Sequence, residues 1–192
     1  VVSGGNFHGA PVAMAMDYLA MALTDLGSIS ERRQARLVDP TKHDGQLPMF
    51  LTDHGGLESG FMLGQYTSAA LVSENKGLSH PAGVDNVSTC ADVEDHVSMG
   101  ATATRQAHQV LENTETVVAV ELLCAAQAVD FRRRSMDRRQ ARLGAGTAAA
   151  YELVREAVPF RDHDAELAPV IARVRRLVDS GELVDAVAAA LE

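Results

Sequence analysis

The run Asp92-Val93-Glu94-Asp95-His96 gathers three carboxylates and an imidazole, groups that ligate divalent cations and move protons. Glu94, Asp95 and His96 are adjacent, however, and cannot converge on one ion without an unusual turn, so no metal site is expected. The same carboxylates suit a helix start, with Asp92 or Asp95 as the cap and Glu94 near the positive end of the dipole. Serines and histidines for covalent catalysis are scattered at Ser3, His8, Ser59, Ser73, Ser79, His80, Ser98 and His108. A nucleophile needs a base within hydrogen-bond reach, and residue types alone do not provide it. The chain has no G-x-S-x-G, G-x-x-x-x-G-K-[ST], H-E-x-x-H or G-x-G-x-x-G motif. Three irregular polar stretches, 3–9, 43–60 and 79–95, each run into a predicted helix. Where such starts converge, unpaired backbone N–H groups favour a small anion such as an amino-acid carboxylate.

The elements that must position these groups read as helices. Of 192 residues 30 are Ala, aromatic residues make up 4%, and there is no Trp; Ala loses little entropy in a helix and fills little of a sheet layer. Pro11 suits a first helical turn, and Val12, Met16, Leu19, Leu23 and Leu26 recur at helical steps. Gly27 is expected to end that helix, with Ser28 or Ser30 capping a shorter one through Val38. Residues 39–59 form a long connection punctuated by Pro40, Gly45, Pro48, Gly55 and Gly56. A helix follows over 60–76, stopped by Gly77 and Pro81. The dominant element runs from about His96 to Phe131, roughly 54 Å at 1.5 Å per residue, and its apolar coverage is broad enough to predict contacts beyond this chain. The segment 130–142 holds six Arg against two Asp, placed to offset the negative end of that helix. Shorter helices are predicted over 147–157, 165–179 and 182–190, with Pro169 near a start. No internal repeat is visible.

A net charge of −9 and a pI near 5.2 disfavour nucleic acid as a partner. Two cysteines, Cys90 and Cys124, are too few for a disulfide scaffold and fit a reducing, cytoplasmic setting. No uninterrupted apolar run reaches the length of a membrane span, and no secretory segment opens the chain. The first residues are Val-Val-Ser, with no Met, so the chain is expected to be part of something longer.

Four strings carry a resemblance: Ser3-Gly4-Gly5-Asn6-Phe7-His8-Gly9-Ala10-Pro11, Gly55-Gly56-Leu57-Glu58-Ser59-Gly60-Phe61-Met62, Gln65-Tyr66-Thr67-Ser68-Ala69-Ala70-Leu71-Val72-Ser73-Glu74-Asn75-Lys76 and Glu94-Asp95-His96-Val97-Ser98-Met99-Gly100. In this order they resemble the carboxy-terminal part of the histidine ammonia-lyases, within the aromatic amino acid lyase family. The resemblance is close over 1–134 and looser over 135–192, and it treats 1–192 as one carboxy-terminal helical portion of a catalytic chain. It implies an all-α, long-helix fold forming part of a larger helical oligomer, a homotetramer when complete. The implied reaction removes ammonia from L-histidine to give trans-urocanate. Its implied cofactor, 4-methylideneimidazole-5-one, forms from an Ala-Ser-Gly tripeptide. None occurs here, so an upstream portion or complementary subunit must carry it.

Three residues match family site positions. Phe7 matches the aromatic residue beside the prosthetic group and substrate, and Met62 a pocket wall next to the substrate side chain. Glu94 matches the carboxylate facing the substrate imidazole, with a catalytic as well as a binding role; relatives acting on phenylalanine or tyrosine carry an amide there. The family has Asn where this chain has Glu58 and Gln where it has Val93. These departures leave open a noncatalytic assembly subunit or a lyase for another aromatic amino acid.

Overall fold

The computed structural model describes Val1 and residues 7–137 and 141–192. Ser3, Gly4, Gly5 and Asn6 of the first string, and Arg138 and Arg139 among the six Arg of 130–142, lie outside the described residues. The regular elements are helical: α1 Ala10–Val38, short 3-10 turns at Pro40–Lys42 and Met49–Leu51, α2 Met62–Leu78, α3 Gly100–Ser135, α4 Ala145–Ala157, α5 Ala168–Asp179 and α6 Glu182–Ala189. Among the described residues there is no strand beyond two isolated bridges, Gly55 with Glu58 and Thr89 with Glu94. The all-α expectation holds.

Several boundaries differ from the sequence reading, each for a physical reason. Gly27 does not end a helix but lies inside α1, where a Cβ would stand 3.4 Å from Thr114 Oγ1. The glycine serves close approach of α1 and α3, and 29 residues of one helix replace the two expected. Gly77 likewise lies within α2, whose last residue is Leu78. The long helix has the expected 36 residues but spans 100–135. Asp92 and Asp95 are therefore too far upstream to cap it, and Gly100 N donates to Ser98 Oγ at 3.4 Å instead. Arg132, Arg133 and Arg134 occupy its last turn and Pro169 the first turn of α5, as expected.

The fold divides into two compact units, and α1, α2 and α3 contribute residues to both. The first comprises Val1–Ser28 and Leu71–Thr114. Its core is built from small side chains: Ala13, Ala82 and Ala103 with Met16 and Met99, and Ala20, Ala107 and Val110 with Leu23 and Leu78. Such residues let helix backbones approach closely, which is where the Ala-rich composition is used. Buried Asn75 accepts from Asn113 Nδ2 at 2.9 Å and donates to Thr114 Oγ1 at 3.3 Å, and Thr114 donates to the Leu23 carbonyl. Asp17 is buried too, its carboxylate accepting from Ala82 N at 3.0 Å and Gly83 N at 2.8 Å. A Cβ on Gly83 would lie 2.7 Å from that carboxylate.

The second unit comprises Ile29–Ala70 and Glu115–Glu192. Leu51, Phe61, Val120, Leu123, Cys124, Phe131, Val154, Val158, Val170 and Val174 form a larger core. Gln127 is fully buried and completely used: Nε2 donates to the carbonyls of Arg161 and Leu51, while Oε1 accepts from Arg155 Nη2 and Arg161 N. Arg155 also pairs with Asp130 at 2.7 Å, and Asp130 accepts from Tyr151. Burial pushes the Cys124 thiol up to about 12, leaving it inert, whereas Cys90 is exposed.

Most of the apolar coverage of α3 is buried, with Leu111 left exposed, and α1 presents the broader apolar surface. Val110, Val117, Val120, Leu123, Cys124 and Phe131 of α3 are all buried within their own units. In α1, by contrast, Val12, Met14, Tyr18, Met21, Leu26 and Ile29 are exposed. By length and composition α1 is also apolar enough to cross a membrane, although Asp17 and Asp25 interrupt its apolar run.

Candidate functional site

In the first unit the starts of α1 and α3 lie side by side. Gly9, at φ +77°, turns the chain into α1, and its carbonyl accepts from Ala13 N. A Cβ on Gly9 would stand 3.4 Å from Ser98 Oγ, and one on Gly100 would stand 3.7 Å from the Gly9 carbonyl. His8 Nε2 donates to the His96 carbonyl at 2.7 Å, and the two imidazoles stack with centroids 5.1 Å apart and planes 11° from parallel. His96 Nδ1 meets Asn86 Oδ1 at 3.3 Å. Two adjacent helix N-termini reinforce one another's positive ends, an arrangement that favours a carboxylate ligand. Of the stretches 3–9, 43–60 and 79–95, the described end of the first, residues 7–9, lies against residues 96–100, which follow the third, whereas 43–60 belongs to the second unit.

Phe7 directly precedes His8 in the chain, and Glu94 lies two residues before His96. Phe7 is 89% exposed, a large apolar ring held at the surface directly before His8. Glu94 is exposed and sits at the foot of a tight turn. Thr89 N donates to the Glu94 carbonyl at 2.9 Å and Glu94 N to the Thr89 carbonyl at 3.3 Å. Between them Cys90, Ala91 and Asp92 adopt φ of 53°, 57° and 65°. Left-handed backbone in non-glycine residues costs about 1–2 kcal/mol each, so the turn is held by its bridge and by Val93 N donating to the Cys90 carbonyl. The Glu94 carboxylate accepts from Thr89 Oγ1 at 3.4 Å and, at 4.0 Å, from Cys90 Sγ. Glu94 is therefore neither a helix cap nor buried. The apolar replacement Val93 is 86% exposed.

Met62, the third expected site residue, is half-buried at the first position of α2 in the second unit. Its neighbour Phe61 is buried and donates its N–H to the Phe50 carbonyl at 2.9 Å. The preceding connection is fixed by a reciprocal pair of carboxylates that sequence reasoning missed. Glu58 accepts from His163 Nδ1 at 2.8 Å and Asp164 N at 3.0 Å. Asp164 accepts from Ser59 N at 2.7 Å and Gly60 N at 2.8 Å. The partners are more than a hundred residues apart, so no local spacing signals the pairing. Glu58 raises the His163 pKa, mainly through this hydrogen bond and then through its charge. The unit also carries an open, largely apolar groove of about 650 Å³, lined by Ser59, Gly60, Leu63, Thr67, Asp164, Leu167, Ile171 and Arg175 but not by Met62.

Among the described residues the scattered serines form no catalytic pair. Ser79 Oγ donates to the Lys76 carbonyl and Ser98 Oγ accepts from Gly100 N. Among the described residues no serine hydroxyl meets an imidazole.

Residues 1–156 match the family described as aromatic amino acid lyase. Among curated proteins, the histidine ammonia-lyase of Chloroflexus aurantiacus is 52% identical over 188 residues, covering 98% of this chain and 36% of that protein. That of Deinococcus radiodurans is 55% identical over 184 residues, covering 96% and 33% respectively. The chain thus spans about a third of the length of the curated relatives it matches. Among solved structures, histidine ammonia-lyase from Trypanosoma cruzi superposes with a TM-score of 0.88 at 45% identity, over 99% of this chain and 36% of that one. Tyrosine aminomutase from Streptomyces globisporus gives 0.88 at 41%, over 97% and 34%.

Proposed function

Because the chain belongs to the aromatic amino acid lyase family and matches the carboxy-terminal 36% of full-length histidine ammonia-lyases, we propose that it contributes to the conversion of L-histidine to trans-urocanate and ammonia. The observation that carries the substrate choice is Glu94. It is exposed, six residues ahead of the start of α3, and it is not consumed as a cap. A carboxylate there accepts from an imidazole N–H of the substrate, while the adjacent N-termini attract the substrate carboxylate.

The prosthetic group 4-methylideneimidazole-5-one, formed from an Ala-Ser-Gly tripeptide outside these residues, supplies the electrophile that turns the amino group into a leaving group. The exposed ring of Phe7 suits packing against such a flat group and the substrate. Met62 is proposed as a wall of the substrate side-chain pocket. Glu94 orients the imidazole and accepts a proton during elimination.

In the complete enzyme, E94Q is expected to lower kcat/KM for histidine by about ten- to a hundredfold, the equivalent of a charge-assisted hydrogen bond of about 1.5–3 kcal/mol. The melting temperature should hold, and the preference for histidine over phenylalanine should fall. The acidic limb of the pH–rate profile should disappear. An unchanged histidine-to-phenylalanine ratio would reject Glu94 as the specificity residue. The likeness to tyrosine aminomutase keeps a second aromatic substrate in view, and the identity of the unsaturated acid produced decides between them.

The complete enzyme is proposed to be a cytoplasmic homotetramer. Met14, Tyr18 and Met21 recur at helical steps on α1 and are 67%, 73% and 43% exposed, more apolar surface than a lone helix face leaves to water. Light scattering should give a tetramer at micromolar concentration. Placing Asp at Met14 and Tyr18 together should shift it to smaller species, and a stable monomer of the unaltered protein contradicts the assignment.

A further inference from the structure

His54, Asp162 and His163 lie together in the second unit with one potential ligand atom from each within 4.8 Å of the others. None of them belongs to the lyase site proposed above. His54 comes from the connection that leads into α2, and Asp162 and His163 come from the connection between α4 and α5. We propose that these three residues form a binding site for a divalent transition-metal ion of the zinc class, which ties the two connections together.

The donor set is the first argument. Two imidazoles and one carboxylate are borderline nitrogen and oxygen donors, suited to Zn²⁺, Co²⁺ or Ni²⁺ and poorly suited to Mg²⁺ or Ca²⁺. Three protein ligands leave a fourth tetrahedral position to water. The second argument is the orientation of His163. Glu58 Oε1 holds its Nδ1–H at 2.8 Å, which fixes the tautomer and leaves the Nε2 lone pair for a ligand. A carboxylate behind a ligating histidine is the usual device for orienting the ring and raising its basicity. His163 Nε2 and Asp162 Oδ2 are 3.9 Å apart, too long for a hydrogen bond. Two donors each about 2.0–2.2 Å from one ion can span that distance.

The scaffold is the third argument. His54 is fixed at its backbone: its N–H donates to Thr52 Oγ1 at 3.1 Å, and its carbonyl accepts from Leu57 N and Glu58 N. Opposite it, the Glu58–Asp164 cross-holding fixes the residues that follow His163. The His54 and His163 rings consequently stack, with centroids 4.9 Å apart and planes 14° from parallel. Bringing both lone pairs onto one ion takes a tilt of the rings. The side chains of His163 and Asp162 are 68% and 61% exposed and have room for it. Asp162 and Glu58 together balance the charge of a dication.

The test is titration of the full 192-residue chain, its helical circular dichroism verified in the same sample, with Zn²⁺ by calorimetry and with Co²⁺ by visible absorption. The expected result is one ion per chain, the absorption of a tetrahedral Co²⁺ centre, and a rise in melting temperature with Zn²⁺. H54A and H163A should each weaken Zn²⁺ binding more than a hundredfold and abolish the rise. E58Q, which removes the charge behind His163 and one of the two acceptors that Glu58 offers to His163 and Asp164, should weaken it by about ten- to a hundredfold. Absence of saturable binding overturns the proposal. So does binding that H54A and H163A leave intact, which would put the ion elsewhere. Neither outcome bears on the lyase reading, whose test is the substrate ratio of E94Q.

Discussion

Purified alone, the 192-residue chain is expected to release no urocanate from L-histidine above the uncatalysed background. Ammonia is a poor leaving group, and the proton lost with it sits on carbon, so elimination needs an electrophile to activate the amino acid. The side chains of this chain include acids, bases and nucleophiles but no such electrophile, and the tripeptide that would form one is absent. Cofactors carry chemistry that ordinary side chains cannot. Losing one removes a rate factor of about a thousand or more, equivalent to at least about 4 kcal/mol of barrier. Supplying a complementary polypeptide that carries Ala-Ser-Gly should restore urocanate formation, followed by the absorbance of its conjugated side chain. Enzyme-like turnover by the rigorously pure chain would refute the reading of where the chemistry originates.

The largest stability effect is expected at Gly60. Its φ is +52°, and a Cβ there would lie 2.4 Å from the Phe50 carbonyl oxygen. That oxygen cannot retreat freely, because it accepts from Phe61 N and belongs to a strained 3-10 turn with Phe50 and Leu51 at φ 55° and 57°. G60A must move the backbone and break the N–H bonds that Ser59 and Gly60 donate to Asp164. The combined loss should be about 4 kcal/mol or more, among the largest effects of a single substitution. G77A provides the contrast. Its Cβ meets nothing within 4 Å inside α2, and it should stabilise by up to about 1 kcal/mol. Urea denaturation measures both; a G60A midpoint equal to that of the parent would remove the argument from steric contact.

The helices were legible because α1, α2 and α3 follow apolar periodicity over many turns, and periodicity reports burial directly. The misread boundaries all involve glycine or acidic residues. Gly27 and a true helix terminator look alike in sequence, since whether a missing Cβ serves a turn or a neighbouring helix depends on Thr114, 87 positions away. Asp92 and Asp95 look like caps until Cys90, Ala91 and Asp92 enter left-handed backbone and delay α3 to Gly100. The apolar breadth of α3 is mostly used inside the two units, with Leu111 left exposed, while the larger exposed apolar face belongs to α1. Phe7, Met62 and Glu94 were found through family strings, not through chemistry visible in their spacing. Glu58 shows the opposite case: noted as a departure, it makes two contacts with the connection between α4 and α5, which only the fold brings near.

The cross-holding of Glu58 and Asp164 also dictates an order of events. Its hydrogen bonds close loops of 104 to 106 residues, whereas each turn of α3 closes over four. Loop-closure entropy must be overcome before such distant partners reward one another, which delays contacts of large sequence separation relative to local helix formation. During refolding α3 therefore gains amide protection early, and the connection from His54 to Gly60 gains it late. The groove beside Ser59 and Gly60 is then among the last features of the second unit to take shape.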